Sequence, residues 1–239
     1  MKKKIALLMA CVMAFGVAVG GTLAWLTAKT EPVTNVFTPS DITITLQEHT
    51  YNAEEDKLTT TETTEGVSNY KMVPGHTIPK DPWVTVKAGS EACWLFVKVV
   101  ESVGGEGLNK ITVDGTDYNF DSYMTYAVIT GENGWTELDA TNHPGVYYRE
   151  VAAAESDQTF EVIFNDIDGD GNKDSGEEAN VTSVKTTVTK EMMNALDNGA
   201  KYPKLTFTAY AVQYNNSNTT NFSAIDAWKE SAGYVDPNA

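Results

Sequence analysis

The stretch Asp41-Ile42-Thr43-Ile44-Thr45-Leu46-Gln47-Glu48 decides the reading of the fold. Ile42, Ile44 and Leu46 alternate with Thr43, Thr45 and Gln47, the period of two shown by a strand with one face buried and one face wet. Such a strand has two possible hosts: the sheet of its own domain, or an exposed edge on a neighbour.

Downstream, strand signals dominate. Tyr51 to Thr64 is polar and rich in threonine and glutamate, which predicts a loop or a weak hairpin. Pro74-Gly75 marks a turn. Pro79 and Pro82 cannot donate to a ladder, so the stretch from Ile78 to Lys87 is confined to an edge or to strand starts. Cys93 to Val100 is apolar on both faces at first and reads as a central strand. Short strands are predicted at Lys110 to Val113, Tyr118 to Phe120, Thr125 to Ile129 and Trp135 to Leu138. Asp114-Gly115 and Asn133-Gly134 supply favoured hairpin turns. Val146 to Val151 and Thr159 to Phe164 follow, the second with Phe160, Val162 and Phe164 inward; Val184, Thr186 and Val188 form another alternating set. Lys204 to Tyr214 is a long strand with Leu205, Phe207, Ala209 and Ala211 on one face.

Two short helices interrupt the pattern. Thr189 is the N-cap of Lys190 to Leu196, with Gly199 as terminator. Ser223-Ala224-Ile225-Asp226 has capping-box spacing and opens a helix that buries Ile225, Trp228 and Ala232. Many short strands with hairpin turns imply an all-β protein, an antiparallel jelly-roll-like β-sandwich with two short peripheral helices. It occupies residues 41–239 as one domain.

Upstream, residues 1–24 read as a secretory signal: Lys2-Lys3-Lys4, an apolar run from Ile5 to Val19, then the small-x-small triplet Thr22-Leu23-Ala24. The expected cut lies between Ala24 and Trp25, leaving residues 25–40 as a flexible leader and no stable membrane span; the alternative is an uncleaved anchor. Loss of the three signal lysines takes the net charge from −16 to −19. That balance excludes nucleic acid and anionic membrane surfaces as partners and suits a soluble extracellular protein. Of the two cysteines only Cys93 survives cleavage, so no internal disulfide forms. Its apolar setting predicts a buried inert thiol.

Gly20-Gly21-Thr22-Leu23-Ala24-Trp25-Leu26-Thr27, then Thr34-Asn35-Val36-Phe37-Thr38, then Ile42 to Glu48 resemble the start of the TasA/camelysin-type proteins of Gram-positive bacteria. Tyr70 to Pro82, Cys93 to Val99, Tyr202 to Gln213 and Ala224 to Trp228 are similar to blocks of related gut-bacterial members. Gly115 to Ser183 carries none of the match. The resemblance implies a jelly-roll sandwich, processing by a dedicated SipW-type signal peptidase, and a biofilm-matrix or cell-surface filament subunit. In filament-forming members the segment after the cleavage site inserts as a strand into the next subunit. The expected partners are therefore the signal peptidase and copies of the chain itself or a related matrix subunit. Ile42, Ile44 and Leu46 are the expected pocket-filling residues of a donated strand, since strand addition combines main-chain bonds with alternate side-chain pockets. Head-to-tail contacts of this kind do not close and so build filaments.

The sharpest chemical motif lies elsewhere. Asp166-Ile167-Asp168-Gly169-Asp170-Gly171-Asn172-Lys173-Asp174-Ser175-Gly176-Glu177 has the spacing of the twelve-residue EF-hand loop. Asp166, Asp168, Asp170, the Asn172 carbonyl, Asp174 and Glu177 are the candidate Ca²⁺ ligands, and Gly171 permits the sharp bend. A strand precedes the loop and no convincing helix follows it. The expectation is an isolated calcium loop between strands, with an affinity of about 10⁻⁴–10⁻³ M; the plain alternative is an acidic surface turn.

No enzyme signature competes. His49, His76 and His143 have no ligand spacing, and His76 and His143 read as solvated loop residues. A His-Glu-x-x-His helix, a phosphate loop and a nucleophile elbow are all missing from the sequence. The metalloprotease activity attributed to camelysin is the least favoured implication, because no open zinc site with a base is offered. Trp94 and Trp228 sit in core-like patterns, whereas Trp83 and Trp135 could form a carbohydrate platform. A calcium-stabilised adhesin or carbohydrate-binding module is therefore the alternative to a secreted structural subunit.

Overall fold

The computed structural model describes residues 41–52, 54–55, 57–63, 70–105, 108–131, 134–164, 178–196, 201–217 and 220–237. Ala24, Trp25, the leader 25–40, Asn133 and the loop 166–177 lie outside the described residues.

The first strand, β1, runs Ile44–Asn52, and β2 (Lys57–Thr63) returns beside it. β3 (Thr77–Pro79) and β4 (Trp83–Val86) are separated by Lys80, Asp81 and Pro82, and β5 (Cys93–Ser102) follows. β6 (Lys110–Val113) and β7 (Thr116–Asn119) form a hairpin, succeeded by a 3-10 turn at Phe120–Ser122. Next come β8 (Met124–Thr125), β9 (Ala127–Val128), β10 (Thr136–Asp139) and β11 (His143–Val151). β12 (Gln158–Glu161), β13 (Ile163–Phe164) and β14 (Val181–Val184) lead to helix α1 (Lys190–Leu196). β15 (Lys204–Gln213), β16 (Asn215–Ser217), β17 (Thr220–Asn221) and helix α2 (Ala224–Glu230) end the described chain.

Two four-stranded antiparallel sheets, ordered β12-β4-β1-β2 and β10-β11-β5-β15, form the all-β sandwich expected from the strand pattern. Between them lies one core, to which Val84 and Val86 contribute from the first sheet and Leu95, Val97 and Val99 from the second. Ile42, Ile44 and Leu46 pack on that core together with Leu205, Phe207 and Ala211. β5 is central, paired with β11 on one side and with all ten residues of β15 on the other. Its doubly apolar sequence has a simple cause. Leu95 and Val97 point into the sandwich, while Phe96 points out and meets Trp228 of α2 at 5.2 Å between rings.

Local chemistry explains several boundaries. Asp114 and Gly115 both take positive φ, +50° and +81°, as a two-residue turn matched to strand twist requires. Thr189 caps α1 by accepting the Met192 N–H on its hydroxyl at 3.3 Å. Ser223 caps α2 through the Asp226 N–H at 3.3 Å. Ala227 and Trp228 are the buried residues of α2, and Ala232 is exposed. The helix ends at Glu230 and Ser231 is extended, so Ala232 falls off the buried row.

Other expectations are corrected. Thr159 to Phe164 is two strands: β12 joins β4, β13 joins β9, and Val162 donates its N–H to the Pro82 carbonyl at 3.1 Å. The change of sheet lets Val162, Ile163 and Phe164 all be fully buried, which strict alternation would forbid. Thr125 to Ile129 splits in the same way between β8 and β9. The set Val184, Thr186 and Val188 is not one strand, because β14 ends at Val184 and Val188 closes a turn onto the Lys185 carbonyl. Asn119 ends β7 early by capping the 3-10 turn with its side chain. Tyr51 to Thr64 contains the full second strand of a hairpin, since β-branched threonine suits a strand even where the surface is mostly wet.

Candidate functional site

Residues 41–47 are zipped along one edge. Ile44, Thr45, Leu46 and Gln47 stand opposite Val86, Thr85, Val84 and Trp83. The ladder continues outward: Lys87 donates its N–H to the Thr43 carbonyl at 2.9 Å, and Glu91 donates to the Asp41 carbonyl at 3.2 Å. The Ser90 hydroxyl accepts the Thr43 N–H at 3.1 Å. In this isolated chain the strand is thus held in its own sheet. β2 pairs only with Glu48 to Asn52, so among the described residues no strand pairs along the other edge of residues 44–46. Among the described residues β2 itself pairs with no strand except β1.

Where the ladder to β4 stops, charged groups take over. The Asp81 carboxylate accepts the His49 backbone N–H at 3.0 Å and meets the imidazole Nδ1 at 2.6 Å. Lys80 donates from Nζ to the Glu48 carboxylate. Lys80 and Asp81 are each only 8 % exposed. The Tyr70 and Phe207 rings flank the ammonium at 5.5 and 5.4 Å, and the Trp83 ring lies 4.9 Å from the imidazole. Sequence reasoning missed this group, treating His49 as scattered and reading the stretch around Lys80-Asp81 only as an edge or a strand start confined by Pro79 and Pro82. The available signal was a charged pair locked between Pro79 and Pro82 inside the apolar run Ile78 to Val84.

The remaining predicted residues are dispersed. Trp135 is 1 % exposed and donates its indole N–H to the Glu161 carbonyl at 2.8 Å, so it is a core residue rather than a sugar platform. Trp83 is half-buried against His49. Trp94, expected in the core, is half-buried on the outer side of its sheet beside Tyr148 and Tyr214. His143 is buried and packs on Tyr234, which corrects the solvated-loop reading. Cys93 is fully buried, and burial pushes its thiol up to about 11. Among the described residues no group of three or more His, Cys, Asp or Glu side chains is placed to hold a metal ion. The calcium motif is outside the described residues, but its flanks are not. Phe164 and Ala179 form an antiparallel bridge, and Asn180 donates to the Ile163 carbonyl at 2.9 Å. The two ends of the loop are therefore brought together by strand pairing, not by helices.

One carboxylate is out of place electrostatically. Glu101, on β5, accepts the Tyr126 hydroxyl at 2.7 Å. Burial raises its pKa and nearby Asp121 adds to this, while the Tyr126 hydrogen bond opposes both. A carboxyl raised in the folded state contributes stability below its unfolded pKa and loses it as pH rises through the folded value. Glu101→Gln keeps an acceptor for Tyr126 and removes the charge. Its melting temperature should match the parent near pH 3.5 and exceed it at pH 7, a comparison that thermal melts at the two pH values make directly.

Comparison with protein-family models, curated proteins and solved structures finds no match to this chain.

Proposed function

We propose that this chain is a secreted structural protein of the bacterial cell surface or biofilm matrix, a filament subunit that assembles by passing its first strand to a neighbour. The observation that carries the reading is the one-edged hold on residues 41–47. The slot made by β4 and the row Leu205, Phe207, Ala209 and Ala211 accepts the strand through a single ladder. Among the described residues β2 is bonded to no other strand, so the β1–β2 hairpin can leave as a unit once that ladder, the core contacts of Ile42, Ile44 and Leu46, and the Glu48–Lys80 and His49–Asp81 pairs are broken. An identical hairpin from a second copy makes the same bonds in the vacated slot. Assembly is then an exchange, near neutral per contact, whose head-to-tail geometry propagates. The resemblance of the signal-to-first-strand motif to TasA-type proteins points the same way.

Electron microscopy of the chain beginning at Trp25 tests the proposal: it should show filaments, and a version with Ile42, Ile44 and Leu46 all replaced by Ser should show none. Particles that stay monomeric by light scattering at every concentration, with the natural strand in place, would overturn it.

Calcium belongs to the same proposal. Six oxygen ligands in the 166–177 loop, with its ends fixed by the Phe164–Ala179 bridge, would brace the sandwich outside the cell. At 10 mM Ca²⁺ the binding linkage raises Tm by roughly 3–10 °C. Asp168→Asn with Asp170→Asn should erase that shift in a calorimetric scan.

A further inference from the structure

We infer that Glu48 and His49, with Lys80 and Asp81, select which strand fills the slot and in which register. The inference rests on the exchange reading above, and it names the partner's required chemistry. Ile42, Ile44 and Leu46 cannot do the selecting alone. A slip of one residue would turn them to the wrong face, but a slip of two keeps every apolar side chain inward. The apolar row is therefore degenerate, and any exported strand with alternating aliphatic residues satisfies it.

The charged pairs break the degeneracy. Glu48 continues the inward row, and its carboxylate meets the Lys80 ammonium between two aromatic rings. A two-residue slip puts Leu46 or Thr50 there and leaves a buried ammonium without a counter-ion. Removing one partner from a buried pair is costly because the other charge stays desolvated. The second rung adds direction: Asp81 takes both the His49 N–H and the His49 ring, at 3.0 and 2.6 Å. Any residue but proline offers an N–H, whereas the second bond needs a side-chain donor that reaches Asp81, as the His49 ring does. An acceptable donor thus carries an acid and a hydrogen-bond-donating side chain immediately after its alternating aliphatic run. A second copy of this chain does so.

Charge exchange tests the inference. Glu48→Lys and Lys80→Glu should each lower Tm on the order of 10 °C, and both changes in one chain should restore at least half of the loss. Singles that melt like the parent, or a double variant that recovers nothing, would overturn the selecting role. Mixing then reads the exchange. Either single variant alone meets like charges in every slot, whereas an equimolar mixture offers each slot a donor of opposite charge and should form filaments. Recovery in the double variant with no filaments from the mixture would overturn the exchange reading and leave the four residues as a register lock within one chain. Should the single variants fail to fold, Glu48→Gln with Lys80→Met removes both charges at similar size. That chain should fold and, with only the His49–Asp81 rung left to discriminate, prefer an added peptide of residues 41–50 over the same peptide shifted by two less than the parent does; an undiminished preference would count against the inference.

Discussion

A chain cut to begin at Tyr51 loses its cooperative melt, and a peptide of residues 41–50 added in trans gives it back. The cut removes all of β1 except Tyr51 and Asn52, and with it Ile42, Ile44 and Leu46 from the core they share with Leu205, Phe207 and Ala211. It also leaves the Thr43 and Asp41 partners, Lys87 and Glu91, without their main-chain acceptors. Three half-buried aliphatic side chains and the ladder bonds together contribute about 5 kcal/mol or more. A domain of this size has about 5–15 kcal/mol in total. Urea titration followed by tryptophan fluorescence should show a broad, early transition for the cut chain and a sharp one with peptide present. Undiminished cooperativity without the peptide would mean that the strand is an ornament. A chain cut to begin at Asp41 is the proper control, because it keeps the strand and discards only the residues before it.

Trp135→Ala should cost about 3–5 kcal/mol and lower Tm by roughly 6–20 °C. Its indole is 1 % exposed, donates to Glu161, and supports the Arg149 guanidinium at 5.6 Å and the Phe160 ring at 6.5 Å. Truncation therefore opens a large cavity, orphans a carbonyl, and loosens the cation stacked on Phe160 at 3.7 Å. A ring so enclosed cannot stack on a saccharide. Equilibrium unfolding reads the loss, and a variant as stable as the parent would contradict the packing described. Trp135→Phe should recover most of the apolar term while leaving the Glu161 carbonyl unbonded, and so fall between the two.

Much of the architecture is visible in the sequence where a residue's neighbours in the chain determine its place. The period-two rows of Ile42–Leu46 and Leu205–Ala211, the caps Thr189 and Ser223 and the Asp114-Gly115 turn all depend on local chemistry. The two-faced apolar strand around Phe96 is equally plain. What stays hidden is settled at long range. Nothing near Val162 says that the chain changes sheets there; its N–H is claimed by Pro82, 80 positions away. Trp135 has the same composition around it as an exposed aromatic would, and only the arrival of Phe160 and Glu161 makes it core. The Glu48–Lys80 and His49–Asp81 pairs join residues 32 positions apart, and charged side chains singly read as solvated. The pairing of these four could have been suspected only by asking where two charges between prolines find partners.

The position of Cys93 has a practical consequence. In a chain that begins at Trp25 it is the single thiol, and it lies on the central strand with no exposed surface. A labelling reagent cannot reach it while β11 and β15 flank the strand. Its rate of modification, divided by that of a free thiol, therefore counts how often the whole sandwich opens. If the chain polymerises as proposed, filaments and monomers hold the same cysteine in the same strand, and the protein carries its own clock for comparing how long each form stays shut.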